Sequence, residues 1–296
     1  MLPFLFTSLY RMIQMLKLIE CPRDAMQSWT NFIPTHQKIS YINQLLKVGF
    51  DTIDFGSFVS PKAIPQLADT KEVIKGLVIG NSHTKLLAIV ANQRGAEEAV
   101  VYDEISYLGF PYSISPTFQL LNTNSTIEES FNRVTAIQNI CIQHKKKLVL
   151  YISMGFGNPY GDVHNVEIVV KHVAKMVALG IDIISIADTV GLATPMHIST
   201  MLRALIPQNK LVEIGVHLHS TADSWQPKLS AAISEGCNRY DGALKGIGGC
   251  PMANNKLVGN LDTEMMISYF ETLGLPARLN MDELSVCSSM ASQIFL

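Results

Sequence analysis

Short apolar segments alternate with longer amphipathic segments along this chain from residue 16 onward. The short segments are rich in Ile, Val, Leu and Tyr, as buried parallel strands are. Eight of them predict strands, at 17–20, 51–57, 85–90, 104–110, 147–153, 182–188, 212–219 and 239–246. Apolar residues at helical spacing predict helices between them, at 38–48, 127–144, 165–179, 196–206 and 223–236.

Helix start and stop signals support this alternation. Residues that favour helix N-termini precede the helical segments at Thr35, Ser125 or Thr126, Thr194 and Thr221, and Gly180 follows the third helix. A strand and then a helix, repeated eight times, is typical of a (β/α)8 TIM barrel, and the residues after 262 predict C-terminal helices that close over it. A doubly wound open sheet is the alternative, but no G-x-G-x-x-G follows the first strand and no Walker A lysine is present.

The domain organisation follows from the same pattern. No linker or low-complexity segment divides the chain, so we expect a single barrel domain over residues 15–296. Residues 1–14 are apolar, but they lack the positive charge that precedes the apolar region of a signal peptide. We predict that they form an N-terminal extension outside the fold.

Composition excludes several classes of partner. The chain has 296 residues, a net charge of -2 and no basic stripe, so we expect no nucleic acid partner. The chain has no run of about 18 uncharged apolar residues, so we expect no membrane span. The five cysteines are odd in number and scattered, which fits neither a disulfide framework nor a zinc pattern. These features indicate a protein of the reducing cytoplasm.

Titratable side chains follow several predicted strands at their carboxyl ends, where barrel enzymes place their active sites. His217 and His219 end the seventh strand, and residues two apart on a strand face the same side. With a carboxylate from Asp24 after the first strand and an amide oxygen from Asn260, they would suit an octahedral Mg²⁺ or Mn²⁺ better than a closed zinc site. The alternative is a pair of hydrogen-bonded interior histidines.

Arg23 lies beside Asp24 and is a candidate for binding the substrate. A guanidinium at a strand end can stabilise a developing oxyanion or enolate. The alternative is a structural ion pair with Asp54 or Asp188. We also expect Asp54 to orient Arg23 and to take part in proton transfer.

The segment 246–260, GIGGCPMANNKLVGN, looks least like packing. Its glycines permit unusual backbone conformations and let a ligand approach closely. Cys250 in this loop is a candidate acid, base or nucleophile. The alternative is a mobile surface turn with an incidental thiol.

Together these residues resemble the 3-hydroxy-3-methylglutaryl-CoA lyase family of the DRE-TIM metallolyases, over about residues 16–265. The arginine–aspartate pair after strand one and the H-x-H motif are shared across that superfamily, and the SFVSPK and GGCP segments are typical of the lyases. The matching motifs lie at 22–24, 57–62, 65–66, 158–160, 188–191, 217–219, 248–251 and 259–261.

The resemblance implies a retro-Claisen cleavage of 3-hydroxy-3-methylglutaryl-CoA to acetyl-CoA and acetoacetate, as in leucine degradation and ketone body formation. It implies that Asp24, His217, His219 and Asn260 bind the divalent metal. Arg23 would stabilise the enolate of acetyl-CoA, and Cys250 would close over the site and exchange protons, with His217 sharing in that transfer. An acyl-CoA substrate and a homodimer are also expected.

The chain departs from the family pattern at several positions. Ala25 replaces a glycine, Asp54 replaces a glutamate that is one methylene longer, and Ser220 replaces the aspartate that follows H-x-H. The segment after strand five, at 154–158, has no cysteine. These changes leave two further hypotheses open, namely a related aldolase or acyl-CoA condensing enzyme acting on another hydroxy acid, and a barrel that binds acyl-CoA without turnover.

Overall fold

The computed structural model describes residues 16–249 and 258–295. Eight parallel strands form a closed barrel, in which β1 pairs with both β2 and β9. In chain order the strands are β1 (Lys17–Glu20), β2 (Thr52–Ser57), β3 (Lys85–Ile89), β4 (Ile105–Ser113), β5 (Lys147–Ser153), β6 (Ile183–Ala187), β7 (Glu213–His217), β8 (His219–Ser220), β9 (Arg239–Gly242) and β10 (Gly259–Asn260). Strands β8 and β10 are separate from the barrel and pair antiparallel with each other.

Helices connect the barrel strands on the outside, so the predicted (β/α)8 architecture is confirmed. They are α1 (Pro22–Gln27), α2 (Thr35–Leu45), α3 (Thr70–Lys75), α4 (Gln93–Ala99), α5 (Pro116–Thr123), α6 (Ile127–Gln143), α7 (Val166–Ala178), α8 (Pro195–Leu205), α9 (Trp225–Ser234), α10 (Thr263–Thr272) and α11 (Met281–Phe295). Of these, α1, α3, α4 and α5 are short helices that the periodicity alone did not predict. Across residues 16–249 and 258–295, no helix is both long and apolar enough to cross a bilayer.

Two predicted strands end more than one residue earlier in the structure. The seventh strand stops at His217, because the chain leaves the barrel there and His219 pairs with Asn260 instead. The eighth stops at Gly242 and turns into a short 3₁₀ segment, Leu244–Gly246. Both departures lie at the carboxyl rim, where the chain must bend to build a site.

The helix signals agree with the structure in most places. Thr126 caps α6 and forms a capping box with Glu129, and Thr194 caps α8. Thr35 is the first residue of its helix, and the N-cap of α9 is Ser224 rather than Thr221. The Thr126 and Thr194 side chains each accept from a backbone N–H group that a helix start leaves without a partner, whereas Ser224 makes no such cap bond.

The two predicted C-terminal helices complete the outer ring where the last barrel strand meets the first. In α10, Phe270 packs on Tyr240 of β9. In α11, Phe295 contacts Tyr41 of α2 and Trp29 edge to face. These helices therefore close the barrel at its seam.

Glu20, the last residue of β1, connects this seam to the loop after β9. Its carboxyl group is buried and accepts hydrogen bonds from the Leu244 backbone N–H (2.8 Å) and the Thr263 hydroxyl (2.6 Å). Burial raises the pKa of Glu20 from 4.5 to about 8. The native protein therefore retains a proton that the unfolded chain releases, and this contribution to stability, complete below pH 4.5, is lost as pH rises through 8.

Replacing Glu20 with glutamine should remove this pH dependence, because the amide carries no charge. Its oxygen can accept from the Leu244 N–H, and its NH2 group can donate to the Thr263 hydroxyl oxygen. We expect the free energy of unfolding of the parent to fall by roughly 2–4 kcal/mol between about pH 5 and about pH 8.5, and that of Glu20→Gln to lack this fall. Urea unfolding at both pH values checks it. Equal pH dependence in the two proteins would contradict the assignment.

Candidate active site

Three predicted metal ligands converge at the carboxyl rim. Asp24 lies in the first turn of α1, His217 ends β7 and His219 begins β8. All three are buried, and their ligand atoms lie within 4.8 Å of one another. The H-x-H spacing thus brings the two rings together (centroids 5.1 Å apart), although the regular strand ends between them.

Asn260 joins these residues through the small β8–β10 sheet. The pairing sets Asn260 opposite His219, and the Asn260 Nδ2 donates to Asp24 Oδ2 (2.8 Å) and to the Ile247 carbonyl (2.8 Å). Both amide protons are used in these contacts, so the Asn260 Oδ1 is the acceptor that the side chain has left. That oxygen is buried and has no hydrogen-bond partner among the described residues.

Neighbouring acceptors fix both histidine rings. His217 Nδ1 lies 3.2 Å from Asp241 Oδ2, and His219 Nδ1 lies 3.0 Å from the Val258 carbonyl oxygen. Because these oxygens accept hydrogen bonds, each Nδ1 carries a proton, and Nε2 is then the ligand atom of each ring in its neutral form. This is the arrangement in which a second group orients a metal-binding imidazole.

The protonation states of the site also suit a cation. Burial alone would raise the pKa of Asp24, but Arg23 and the two histidines outweigh it and lower that pKa to about 2. Burial lowers the pKa of His219 to about 4. An ionised carboxylate, neutral imidazole and an unpartnered amide oxygen form a donor set that fits an octahedral divalent cation.

Arg23 is held by three side chains in α1 and β2. Its Nε and Nη2 donate to Asp54 Oδ2 (3.0 and 2.6 Å), and its Nη1 donates to Asp24 Oδ1 (3.0 Å) and Gln27 Oε1 (2.8 Å). These contacts use four of the five N–H groups of a guanidinium. One Nη2–H remains for a ligand, and Arg23 lines the cavity at the barrel mouth.

Asp54 lies behind Arg23. Only 1% of it is exposed, it does not line the cavity, and burial raises its pKa to about 6. These contacts fit the expected orienting role, and its part in proton transfer stays a prediction. Of the two partners considered for Arg23, Asp54 is the one that pairs with it.

A cavity of about 380 Å³ opens above these residues. Its polar lining comes from Arg23, Asp24, His217 and His219, together with Thr189 from the loop after β6. Its apolar lining includes Val59, Ile89 and Phe118. Such a pocket suits a ligand that has both a polar reacting end and an apolar part.

Comparisons with known proteins agree with this arrangement. The profile of the HMGL-like family matches residues 16–290. The chain belongs to the HMGL-like family. It is 32% identical to the mitochondrial hydroxymethylglutaryl-CoA lyase of Mus musculus over 90% of this chain and 82% of that one. It is also 32% identical to the Bacillus subtilis hydroxymethylglutaryl-CoA lyase YngG, over 89% and 87% of the two chains.

A solved structure shows the same fold. An HMG-CoA lyase from Acinetobacter baumannii, in complex with coenzyme A and 3-methylmalate, superimposes with a TM-score of 0.88 at 32% identity. The alignment covers 95% of this chain and 91% of that one. The similarity extends over nearly the whole barrel of this HMGL-like protein.

Two buried residues of the site were not found from the sequence. Asp241 in β9 holds His217, and Lys228 in α9 pairs with Asp188 (2.7 Å). Asp188 was one of the two partners considered for Arg23, but it pairs with Lys228 instead. The alternation along β9 places Asp241 on the same face as Arg239, inside the barrel, and that alternation could have revealed it.

The Gly-rich segment begins as its composition predicts. Gly246, Gly248 and Gly249 all have positive φ, which side-chain-bearing residues rarely adopt. A Cβ added at Gly248 would lie 2.3 Å from Asn260 Nδ2 and 3.1 Å from Asp24 Oδ2. Cys250, predicted to act in catalysis, lies outside the described residues.

We expect Gly248→Ala to push Asn260 off Asp24 and weaken divalent-cation binding by about 10–100-fold. Gly161→Ala is the matched control, since Gly161 also has positive φ but open space around its Cβ position. Both variants carry backbone strain, and only Gly248→Ala disturbs the ligands. Titration with Mn²⁺ followed by electron paramagnetic resonance measures the difference, and equal affinities would contradict the role of Gly248.

Proposed function

We propose that this chain is a divalent-metal-dependent lyase that cleaves 3-hydroxy-3-methylglutaryl-CoA to acetyl-CoA and acetoacetate. The main support is the convergence of Asp24, His217 and His219 next to Arg23, all four of which line one cavity, with Asn260 hydrogen-bonded to Asp24. The relatives that bear the lyase name extend over the same residues.

The four converging residues would hold the cation, either Mg²⁺ or Mn²⁺. When bound, it would polarise the hydroxyl and carbonyl oxygens of the substrate and make the hydroxyl more acidic. The donor set contains two oxygens and two imidazole nitrogens, which leaves positions for substrate oxygens in an octahedral shell.

The reaction breaks the bond between C2 and C3 of the acyl group. As the C3 hydroxyl loses its proton, C3 becomes the ketone of acetoacetate and the bonding electron pair passes to C2. The product at C2 is the enolate of acetyl-CoA, which takes up one proton to give the methyl group. The chain must therefore remove one proton from oxygen and supply one to carbon.

Arg23 supplies charge at the point where the enolate develops. Its remaining Nη2–H can donate to the thioester oxygen. The contacts with Asp54 and Gln27 keep the guanidinium in one orientation before the substrate arrives. A donor that is already oriented costs no reorganisation during the reaction.

Two residues are proposed to move the protons. His217 faces the cavity, and the Asp241 carboxylate outweighs the effect of burial so that the pKa of His217 is raised. Cys250 would supply or take up a proton from its loop, as the resemblance implies. Asp54, with a pKa near 6, is a third group within the network that contacts Arg23.

The test is an assay for acetyl-CoA release with Mg²⁺ and a thiol reductant, with and without a chelator. Cys250→Ala should lose activity by more than about 100-fold. Cys141→Ala is its control, because Cys141 is a buried thiol in α6, remote from the rim. Release that persists in Cys250→Ala would remove the loop thiol from the mechanism, and no release by the parent would reject this substrate.

Two other functions lead to different results in the same assay. A condensing enzyme or aldolase would leave the thioester intact and act on another hydroxy acid. An acyl-CoA-binding barrel would bind metal and thioester without product. Asp54 and Ser220 are the positions where such a difference would originate. A homodimer and a cytoplasmic location complete the proposal.

A further inference from the structure

Lys228 is a buried lysine that the proposed mechanism does not use. It lies in α9 with 3% of its surface exposed. Its Nζ donates to Asp188 Oδ2 (2.7 Å), to the His219 carbonyl oxygen (2.7 Å) and to the Gly191 carbonyl oxygen (3.2 Å). An ammonium has three N–H donors, so these three acceptors satisfy it completely.

Each acceptor belongs to a part of the site. The His219 carbonyl is the backbone of a proposed metal ligand. Asp188 is the first residue after β6, and its backbone N–H donates to the His217 carbonyl oxygen (2.8 Å). Gly191 lies in the same loop as Thr189, which lines the cavity. Lys228 thus connects the backbones of both histidines with one wall of the cavity.

The chain leaves the barrel sheet where Lys228 binds. Strand β7 ends at His217, and His219 already pairs with Asn260 in the antiparallel β8–β10 sheet. The hydrogen bonds of the barrel sheet therefore do not hold the His219 carbonyl in place. A charged donor at 2.7 Å fixes that peptide, and the Val258 carbonyl fixes the ring that projects from the same residue.

We propose that Lys228 is a positioning residue, which holds the His219 backbone so that the imidazole points at the cation site. The inference rests on the proposed function only in that it requires a divalent cation at this site. It acts through His219, and Lys228 itself contacts neither substrate nor metal.

The competing explanation is that Lys228 only neutralises Asp188. Asp188 is 2% exposed, and an unpaired carboxylate there would be costly. The two explanations separate when both charges are removed. In the double variant Lys228→Met with Asp188→Asn no charge is left uncompensated, and the asparagine oxygen can still accept from the Ala193 N–H, as Asp188 Oδ1 does now (2.9 Å). The His219 carbonyl, however, loses its donor.

The experiment measures the dissociation constant of Mn²⁺ by electron paramagnetic resonance, beside thermal unfolding, for the parent and three site variants. Lys228→Met should weaken Mn²⁺ binding by about 10–100-fold. The double variant should recover thermal stability but keep at least about a tenfold loss of affinity. Asp188→Asn alone keeps the hydrogen bond from Lys228 to the His219 carbonyl oxygen. It should therefore bind Mn²⁺ more tightly than Lys228→Met and the double variant do.

Lys38→Met is the matched control. Lys38 is an equally buried lysine that pairs with a carboxylate, Asp69 (2.6 Å), and also donates to the Gln66 carbonyl, but it contacts none of the proposed ligands. This variant should lose stability and keep the parent affinity to within about twofold, as expected for an independent site.

The inference is overturned if the double variant regains the parent affinity, if Lys228→Met leaves Mn²⁺ binding unchanged, or if the parent binds no Mn²⁺. Failure of the proposed function looks different. A parent that binds Mn²⁺ but leaves the thioester intact rejects the lyase, while the affinities of the variants still decide the role of Lys228.

Discussion

Replacing Asp24 with asparagine should weaken Mn²⁺ binding and lower kcat/KM for 3-hydroxy-3-methylglutaryl-CoA, each by more than about 100-fold. The substitution changes shape little, but it removes the only carboxylate among the four converging donors. That carboxylate, held ionised by Arg23 and the histidines, supplies the anionic oxygen that a hard cation prefers.

The control is Asp182→Asn, which removes an exposed carboxylate paired with Lys147. Metal titration and initial rates of acetyl-CoA release, with excess Mn²⁺ and without it, check the prediction for both variants. Excess metal should restore part of the rate if affinity is the main loss. Parent-like affinity in Asp24→Asn would contradict its assignment as a ligand.

Replacing Arg23 with methionine should lower kcat by about 100–1000-fold, with a much smaller change in Mn²⁺ affinity. The reason is that the remaining Nη2–H acts on charge that develops only during the reaction. Arg23→Lys should fail as well, because one ammonium cannot keep the contacts with Asp54, Asp24 and Gln27 and also reach the substrate.

Loss of Arg23 leaves Asp54 buried without its counter-charge, so Arg23→Met with Asp54→Asn should accompany the single variant. Asp54→Asn alone is measured as well, because Asp54 is itself a candidate for proton transfer. If the double variant folds as stably as the parent and its kcat stays well below that of Asp54→Asn, the additional loss is due to the missing guanidinium. Arg203→Met, at an exposed pair with Glu235, is the control. Recovery of kcat in the double variant would show that Arg23 only neutralises Asp54.

The sequence was informative where parallel strands impose a common geometry. Asp24 and His217 follow or end strands, and in a barrel all such positions meet at one rim. The H-x-H spacing predicted adjacent rings for His217 and His219, and they are adjacent. The barrel itself followed from eight apolar segments separated by helical ones.

Contacts between elements far apart along the chain could not be predicted in the same way. Asn260 reaches Asp24 through a two-residue antiparallel pairing that no periodicity shows. Lys228 could not be identified in this way, because a single lysine in an amphipathic helix gives no sign of a buried carboxylate opposite it. Asp188 was therefore considered for Arg23, although its partner is Lys228.

The glycines after β9 were predicted only in part. The composition of the segment 246–249 predicted unusual backbone conformations, and Gly246, Gly248 and Gly249 have them. The need for glycine at Gly248 in particular comes from the approach of Asn260 and Asp24, which only the folded chain shows.

Product stoichiometry tests the proposed cleavage of the thioester. The metal-loaded parent is incubated with 3-hydroxy-3-methylglutaryl-CoA, and acetyl-CoA and acetoacetate are both quantified. We expect equal amounts of the two products, formed with Mg²⁺ or Mn²⁺ and abolished by a chelator. If metal binds at the site and neither product forms, or if the thioester is lost without acetoacetate, the proposed lyase reaction is wrong.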